Sequence, residues 1–139
     1  NIYAGGIVSN NTGYVSDSYN KASITVTGYN ETDTRTTNNA MIGGIVSTNS
    51  NLTKNSYNLG SITKTVSGEG TFNYLTDATN SGTITNVYLL SGSASNDDGT
   101  TTSNIVSASD LMNLNISIGK GFKKDLKNIN NGYPILYWQ

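Results

Sequence analysis

The strongest constraint on the fold of this chain is a phrase of sequence that occurs twice. Residues 5–25 return as residues 43–63, and matching positions lie 38 residues apart with no insertion or deletion. Both copies contain Gly-Gly-Ile-Val-Ser, Ser-Tyr-Asn and Ser-Ile-Thr. A weaker echo, residues 82–88, matches residues 13–19 at an offset of 69. Repeats of this length indicate one supersecondary unit that stacks on copies of itself.

The composition favours ordered β-structure. Apolar residues make up 35% of the chain and charged residues 12%, both low for a globular domain. Disordered chains, however, are usually rich in charge and poor in aromatic residues, whereas this chain has nine Tyr and many Ile, Val and Thr, which indicate strands. The abundant Asn suits tight turns, and stacked Asn side chains can form ladders in which each amide bonds to the next.

The amino acids that are missing narrow the classes of function. The chain has no His and no Cys, which removes the Ser-His-Asp triad, the Cys nucleophile and nearly every zinc site. Its nine acidic residues are scattered and show no facing pair for glycoside hydrolysis. We interpret residues 96–99, Asn-Asp-Asp-Gly, as a polar turn, because the spacing of a calcium-binding EF-hand loop is absent. We therefore expect no enzyme activity, no metal ion and no cofactor.

Each repeat predicts short strands separated by turns. In the first repeat we expect strands within residues 2–8, 14–19 and 22–27, with a polar turn at residues 9–13. Three strands in about 25 residues is the size of one coil of a parallel β-helix. The glycine pairs Gly5-Gly6 and Gly43-Gly44 predict tight corners or a close backbone approach between coils.

The fold prediction is all-β, a right-handed parallel β-helix (β-solenoid) of about three coils, with a C-terminal cap that contains a short helix. The solenoid repeats are expected within residues 1–99 and the capping segment within residues 100–139. The predicted coils span about residues 2–28, 42–66 and 72–94, and the charged stretch 29–41 is interpreted as a loop inserted at one corner.

The tail predicts a cap because an open end of a repeat stack exposes strand edges and core side chains. Residues 107–114 predict a short helix with Ser107 or Ser109 as its N-cap and Asp110 in its first turn. Residues 134–138 predict a final apolar strand. The lysines of the tail are interpreted as a solvated face, and the alternative is a docking patch for an anionic cell-wall polymer.

One column of tyrosines recurs with the repeats. Tyr19, Tyr57 and Tyr88 occupy equivalent positions. Strand alternation places them on the face of Val15 and Ile84, which favours an inward-facing aromatic ladder in or beside the core over a sugar-binding platform.

Three other tyrosines are the candidate binding residues. Tyr3, Tyr14 and Tyr29 are less constrained by the repeat than the tyrosine column, so we expect them to be exposed. Exposed aromatic rings suit the apolar faces of sugars.

The repeated phrase resembles the GLUG-type repeat, whose pattern is roughly Gly-Gly-Leu-Val-Gly, a polar turn, Gly-x-Ile-x-Asn-Ser-Tyr and then Gly-x-Val. The residues that carry this resemblance are 5–8, 13–19 and 23–24, whereas the third unit lacks the glycine pair. Residues 121–139 are similar to the segment that closes such arrays in surface proteins of Firmicutes. The resemblance implies a large bacterial surface protein, such as an adhesin or the non-catalytic region of an IgA-cleaving metallopeptidase, and no catalytic residues.

These observations predict a non-enzymatic segment of a bacterial cell-surface protein that acts as a stalk or an adhesive surface. The alternatives are the non-catalytic region of a secreted surface peptidase and a carbohydrate-binding module. Expected partners are host glycans, matrix proteins or a cell-wall polymer. The net charge of −1 and the lack of a long apolar run argue against nucleic-acid binding and membrane insertion. We expect an extracellular, monomeric fragment whose preceding part carries earlier coils and any export signal.

Overall fold

The computed structural model describes residues 2–27, 40–64, 81–93, 104–114 and 121–139. This part of the chain is mostly strand with little helix, so the all-β class is confirmed. The first repeat contributes β1 (Ile2–Gly5), β2 (Val8–Asn11), β3 (Tyr14–Asn20) and β4 (Ile24–Val26), and the second contributes β5 (Ala40–Gly43), β6 (Val46–Asn49), β7 (Leu52–Asn58) and β8 (Ile62–Lys64). These are followed by β9 (Thr83–Leu90), β10 (Ile105–Val106), α1 (Ala108–Asn113), β11 (Phe122–Lys123) and β12 (Ile135–Leu136).

Several predicted segments fall outside the described residues. They are most of the inserted loop, the first part of the predicted third unit, and the polar turn at residues 96–99.

The two repeats lie side by side in parallel register. Strands β1, β2, β3 and β4 pair with β5, β6, β7 and β8, and the paired residues are 38 positions apart, as in Ile2 with Ala40 and Ile24 with Ile62. On the other side of β7, Leu52 pairs with Thr83 of β9, and β10 pairs with β9 to give a four-stranded sheet of order β10-β9-β7-β3. The sequence offset is therefore confirmed as the strand register.

Each repeat has four strands rather than the predicted three, because the glycine pair turns the chain within the first apolar run. A Cβ added at Gly5 would collide with the carbonyl oxygen of Val8, and one added at Gly43 with that of Val46. A Cβ at Gly6 would collide with the carbonyl oxygen of Gly44 in the neighbouring repeat. Both predicted roles of these glycines, a tight corner and a close backbone approach, are confirmed. The predicted turn at residues 9–13 is wrong in its first half, since β2 extends to Asn11.

Apolar side chains from both repeats and from β9 form the main core. Ile45 and Val46, which follow the second glycine pair, are completely buried there. The buried members of this cluster are Val15, Val26, Ile42, Ile45, Val46, Ile62, Val87 and Leu89.

A residue with left-handed backbone interrupts each strand of the central sheet. Asp17, Asn55 and Asn86 have φ of 48°, 46° and 53°, a conformation that Asn and Asp tolerate better than most residues. Such a residue reverses the alternation of side chains along a strand, as a β-bulge does. Val15 therefore belongs to the main core, whereas Tyr19 belongs to a second cluster with Leu111 and Phe122. The prediction that the tyrosine column shares a face with Val15 and Ile84 is wrong for this reason.

The tail contains the predicted helix but packs where the sequence did not indicate. Ser107 is the N-cap of α1, and its hydroxyl accepts a hydrogen bond from the Asp110 N–H at 3.2 Å. Strand β10 pairs along β9, whereas residues 121–139, which include β11 and β12, pack against the tyrosine column. The predicted strand at 134–138 is shortened to β12, and Tyr137 and Trp138 beyond it are exposed.

The strand register can be tested with an engineered disulfide, because the chain has no cysteine of its own. The Ser61 hydroxyl donates to the Ser23 hydroxyl at 2.8 Å, on the surface beside the β4–β8 pair. In a Ser23→Cys/Ser61→Cys variant, we expect a disulfide to form under mild oxidation, because the two residues directly precede the paired Ile24 and Ile62 and neighbouring strands lie about 4.8 Å apart. Mass spectrometry before and after reduction measures it. A Ser23→Cys/Ser50→Cys control should stay reduced, and equal oxidation of both variants would contradict the register.

The glycine corner predicts a large asymmetry between two Gly→Ala substitutions. Gly43→Ala should lower the free energy of unfolding by at least about 2 kcal/mol, because the backbone must move to admit the new methyl group. Gly13→Ala should change it by less than about 0.5 kcal/mol, since nothing lies within 4 Å of the added Cβ. Chemical denaturation of both variants measures the two changes in the free energy of unfolding. Equal decreases would show that the corner does not require glycine.

Candidate functional site

The tyrosine column is packed beneath the tail and does not form an open binding platform, since Tyr57 is buried and Tyr19 and Tyr88 are half-buried. The rings of Tyr19 and Tyr57 are stacked with their centroids 5.2 Å apart. The ring of Phe122 lies 5.5 Å from that of Tyr57 and covers it, so that Tyr57 has no exposed surface. Tyr88 packs against the same cluster. The predicted inward-facing ladder is therefore wrong in its side of the sheet: Tyr19 and Tyr57 do stack, but in a separate cluster on the face opposite the main core.

The hydroxyl of Tyr57 ties the sheet to the tail. It donates a hydrogen bond to the carbonyl oxygen of Pro134 and accepts one from Asn130 Nδ2 at 2.8 Å. Burial raises the pKa of the Tyr57 phenol, so this group stays neutral and remains a donor throughout the physiological pH range. A polar contact inside an apolar cluster fixes the position of the tail more tightly than apolar packing alone.

A carboxylate organises the loop that presents Asn130. Asp125 is only 8% exposed, and its two oxygens accept hydrogen bonds from the N–H groups of Ile129 (2.8 Å), Asn130 (2.7 Å) and Gly132 (3.1 Å). Burial by itself would raise the pKa of this carboxyl, but the hydrogen bonds outweigh burial and hold the pKa below its usual value. The loop is therefore built around an ionised carboxylate that points inward.

The predicted binding tyrosines do not converge on one site. Tyr3 is 48% exposed and lines a shallow groove of about 320 Å³ together with Ser9, Asn10 and Thr48. Tyr14 is 78% exposed but is not among the described residues that line this groove. Tyr29 lies outside the described residues. Of the three, Tyr3 alone is placed beside hydroxyl and amide groups in a concave surface of the described chain.

A second surface, which the sequence reasoning did not identify as an aromatic site, lies on the tail. We call it the lysine surface; it surrounds a small pocket of about 160 Å³. The Lys123 ammonium lies 5.7 Å from the centroid of the Tyr137 ring, within the range of a cation–π contact. The described residues that line the pocket are Lys123, Lys124, Leu126, Lys127, Ile129, Ile135 and Gln139.

Two exposed aromatic rings lie in the same segment of the chain. Tyr137 is 71% exposed and Trp138 is 79% exposed, although both were predicted to lie in an apolar strand. The signal that could have identified the surface is the concentration of lysines at positions 123–127. In the structure Lys123 pairs with Ile135 across the β11–β12 hairpin, which brings the lysines close to the chain end.

Within the described residues, no three His, Cys, Asp or Glu side chains are grouped so as to hold a metal ion, and no helix is long and apolar enough to cross a membrane. The chain matched no family model, no curated protein and no solved structure when it was compared with each. The resemblance to GLUG-type repeats therefore depends on the repeated motif alone.

The Asp125 loop predicts how stability depends on pH. Because the pKa of Asp125 is lowered by folding, its ionised form stabilises the folded chain, fully above the unfolded pKa of about 3.9 and less as the pH falls through the folded value. Asp125→Asn should lower stability at pH 7 and weaken the loss of stability below about pH 4. Denaturation midpoints between pH 7 and pH 2 measure both effects. The exposed-site control Asp110→Asn should keep the steep acid loss, and an equally steep loss in Asp125→Asn would contradict the assignment.

Proposed function

We propose that this chain is a non-enzymatic segment of a bacterial cell-surface protein, located outside the cell, which acts as a stalk or an adhesive surface. In this proposal the repeats form a right-handed parallel β-helix of about three coils, closed by the tail. The observation that carries the proposal is the parallel, in-register pairing of all four strand positions of one repeat with those of the next.

Side chains inside the stack support a mechanical role. Asn11 Nδ2 donates to Asn49 Oδ1 at 2.8 Å, and Asn20 Nδ2 donates to Asn58 Oδ1 at 2.7 Å. These buried amides bond to one another between the two repeats, so the first repeat is held to the second by side chains as well as by backbone hydrogen bonds. Stability that depends on nearest neighbours allows such a stack to be extended into a long, stiff stalk.

The groove beside Tyr3 supports the adhesive role. An aromatic ring packs against the apolar face of a sugar, while the hydroxyl of Ser9 and the amide of Asn10 can form hydrogen bonds with sugar hydroxyls. Host glycans are therefore the class of partner that we propose for this groove. The GLUG-type motif supports a place on the bacterial surface.

The adhesive role is tested by a binding screen. The purified chain is applied to a glycan array and to a panel of host matrix proteins, with and without Ca²⁺. We expect reproducible glycan binding, and we expect Tyr3→Ala to weaken it at least about fivefold, since an aromatic contact contributes about 1 kcal/mol. Tyr14→Ala is the matched control, because Tyr14 is exposed but lies outside the groove.

The outcomes separate the two roles. Binding that depends on Tyr14 and not on Tyr3 would reject the groove as the adhesive site. If the chain binds nothing on the panel and still shows a cooperative thermal unfolding transition, adhesion to these partners is rejected and the stalk role remains. A parent protein with further repeats and a cell-wall anchor would then be expected.

A further inference from the structure

The charge of the lysine surface is not balanced within its own segment. Residues 121–139 contain Lys123, Lys124 and Lys127 but only one acidic side chain, Asp125. Because the Asp125 carboxylate is buried and accepts three backbone N–H groups, it points away from solvent. None of these lysines forms an ion pair with a residue that the structure describes. The surface therefore presents positive charge to any partner.

Apolar and aromatic side chains are interspersed with these charges. Leu126 is 83% exposed and, with Ile129, lines the pocket between the lysines. Tyr137 lies beside Lys123, and Trp138 follows it in the chain. Isolated exposed apolar residues are common on protein surfaces, but here Leu126 and Ile129 line one pocket and the exposed ring of Tyr137 lies beside one of its lysines, which favours a binding surface.

We propose that the lysine surface binds an acidic polysaccharide. The lysine ammonium groups pair with the anionic groups of the polymer, and the exposed rings of Tyr137 and Trp138 pack against its sugar rings. The proposal rests on the proposed adhesive function and names a second class of partner, at a site separate from the Tyr3 groove.

Two other polyanions fit this surface less well. Single-stranded nucleic acid also combines charge with stacking, but the whole chain has a net charge of −1, which opposes binding to a long polyanion of high charge density. An anionic membrane would favour apolar side chains that project from a convex surface, whereas Leu126 and Ile129 line a pocket together with the polar Gln139. A polymer with widely spaced charges and ring faces suits the pocket better.

The test compares carboxymethyl dextran of low substitution, whose charges are widely spaced, with neutral dextran, which has the same backbone and no charge. We expect the intact chain to bind carboxymethyl dextran with an affinity that falls as salt increases, and not to bind dextran. Lys123→Gln/Lys127→Gln should weaken binding at least about tenfold. Lys21→Gln is the matched control, because Lys21 is an exposed lysine outside the lysine surface. Equal binding by these two variants would overturn the proposal.

Trp138→Ala separates an aromatic site from simple charge attraction. We expect it to weaken binding about fivefold with an unchanged salt dependence, since the ring contributes packing and no charge. Unchanged affinity would mean that charge alone holds the polymer, which overturns the aromatic part of the proposal. Tighter binding to phosphatidylglycerol vesicles or to single-stranded DNA, measured on the same chain, would overturn the choice of partner.

Tyr3→Ala distinguishes this site from the groove. If both sites bind as proposed, Tyr3→Ala retains full affinity for carboxymethyl dextran while its binding to glycans on the array is weakened. If the chain shows no lysine-dependent binding to the charged polymer but still binds glycans through Tyr3, the polysaccharide site on the lysine surface is overturned and the groove is not. Failure of both, in a folded chain, overturns the adhesive function as well.

Discussion

The left-handed residue in the middle of β3, β7 and β9 decides which side of the sheet carries the tyrosines. Asp17, Asn55 and Asn86 each reverse the alternation of their strand. In β9, Ile84 before the reversal and Val87 and Leu89 after it therefore all face the main core, while the tyrosines face away from it. Their side chains also bond in a column, Asn86 to Asn55 and Asn55 to Asp17, at 3.3 Å each. Without this reversal, the large aromatic rings would have to fit inside a repeat whose corner has room only for glycine.

An aromatic column that faces outward must be covered, and the tail is what covers it. The rings present a large apolar area, and its burial beneath Phe122 and Leu111 is worth more than burial of single aliphatic side chains. Gly121 lies so close to the carboxyl group of Asp17 that a side chain there would collide with it. The column of left-handed residues thus both creates the face that needs a cover and limits what the cover can be.

The sequence predicted what depends on the repeat and missed what depends on distant packing. The offset of 38 residues was enough for the register, the glycine pairs for the corners, and Ser107 for the start of α1. The sequence did not indicate which side of the sheet carries Tyr57. Counting alternate positions along a strand assumes that its backbone is extended throughout, and the left-handed Asn55 breaks that assumption. The exposure of Trp138 was also not predicted. An apolar run is expected to be a buried strand, but how far the strand extends depends on its partner, and β12 is only two residues long.

The Asp125 carboxylate links the stability of the tail to the positive charge on the surface of the tail. Asp125 lies between Lys124 and Lys127 in sequence, where a solvent-exposed carboxylate would be available to pair with either lysine. Its backbone hydrogen bonds instead turn it inward and form the loop that places Asn130 against the Tyr57 hydroxyl. The geometry that fixes the tail on the sheet therefore also leaves the neighbouring ammonium groups in solvent. A loop that lost the Asp125 anchor would lose its contact with the tyrosine column and its unbalanced positive surface together.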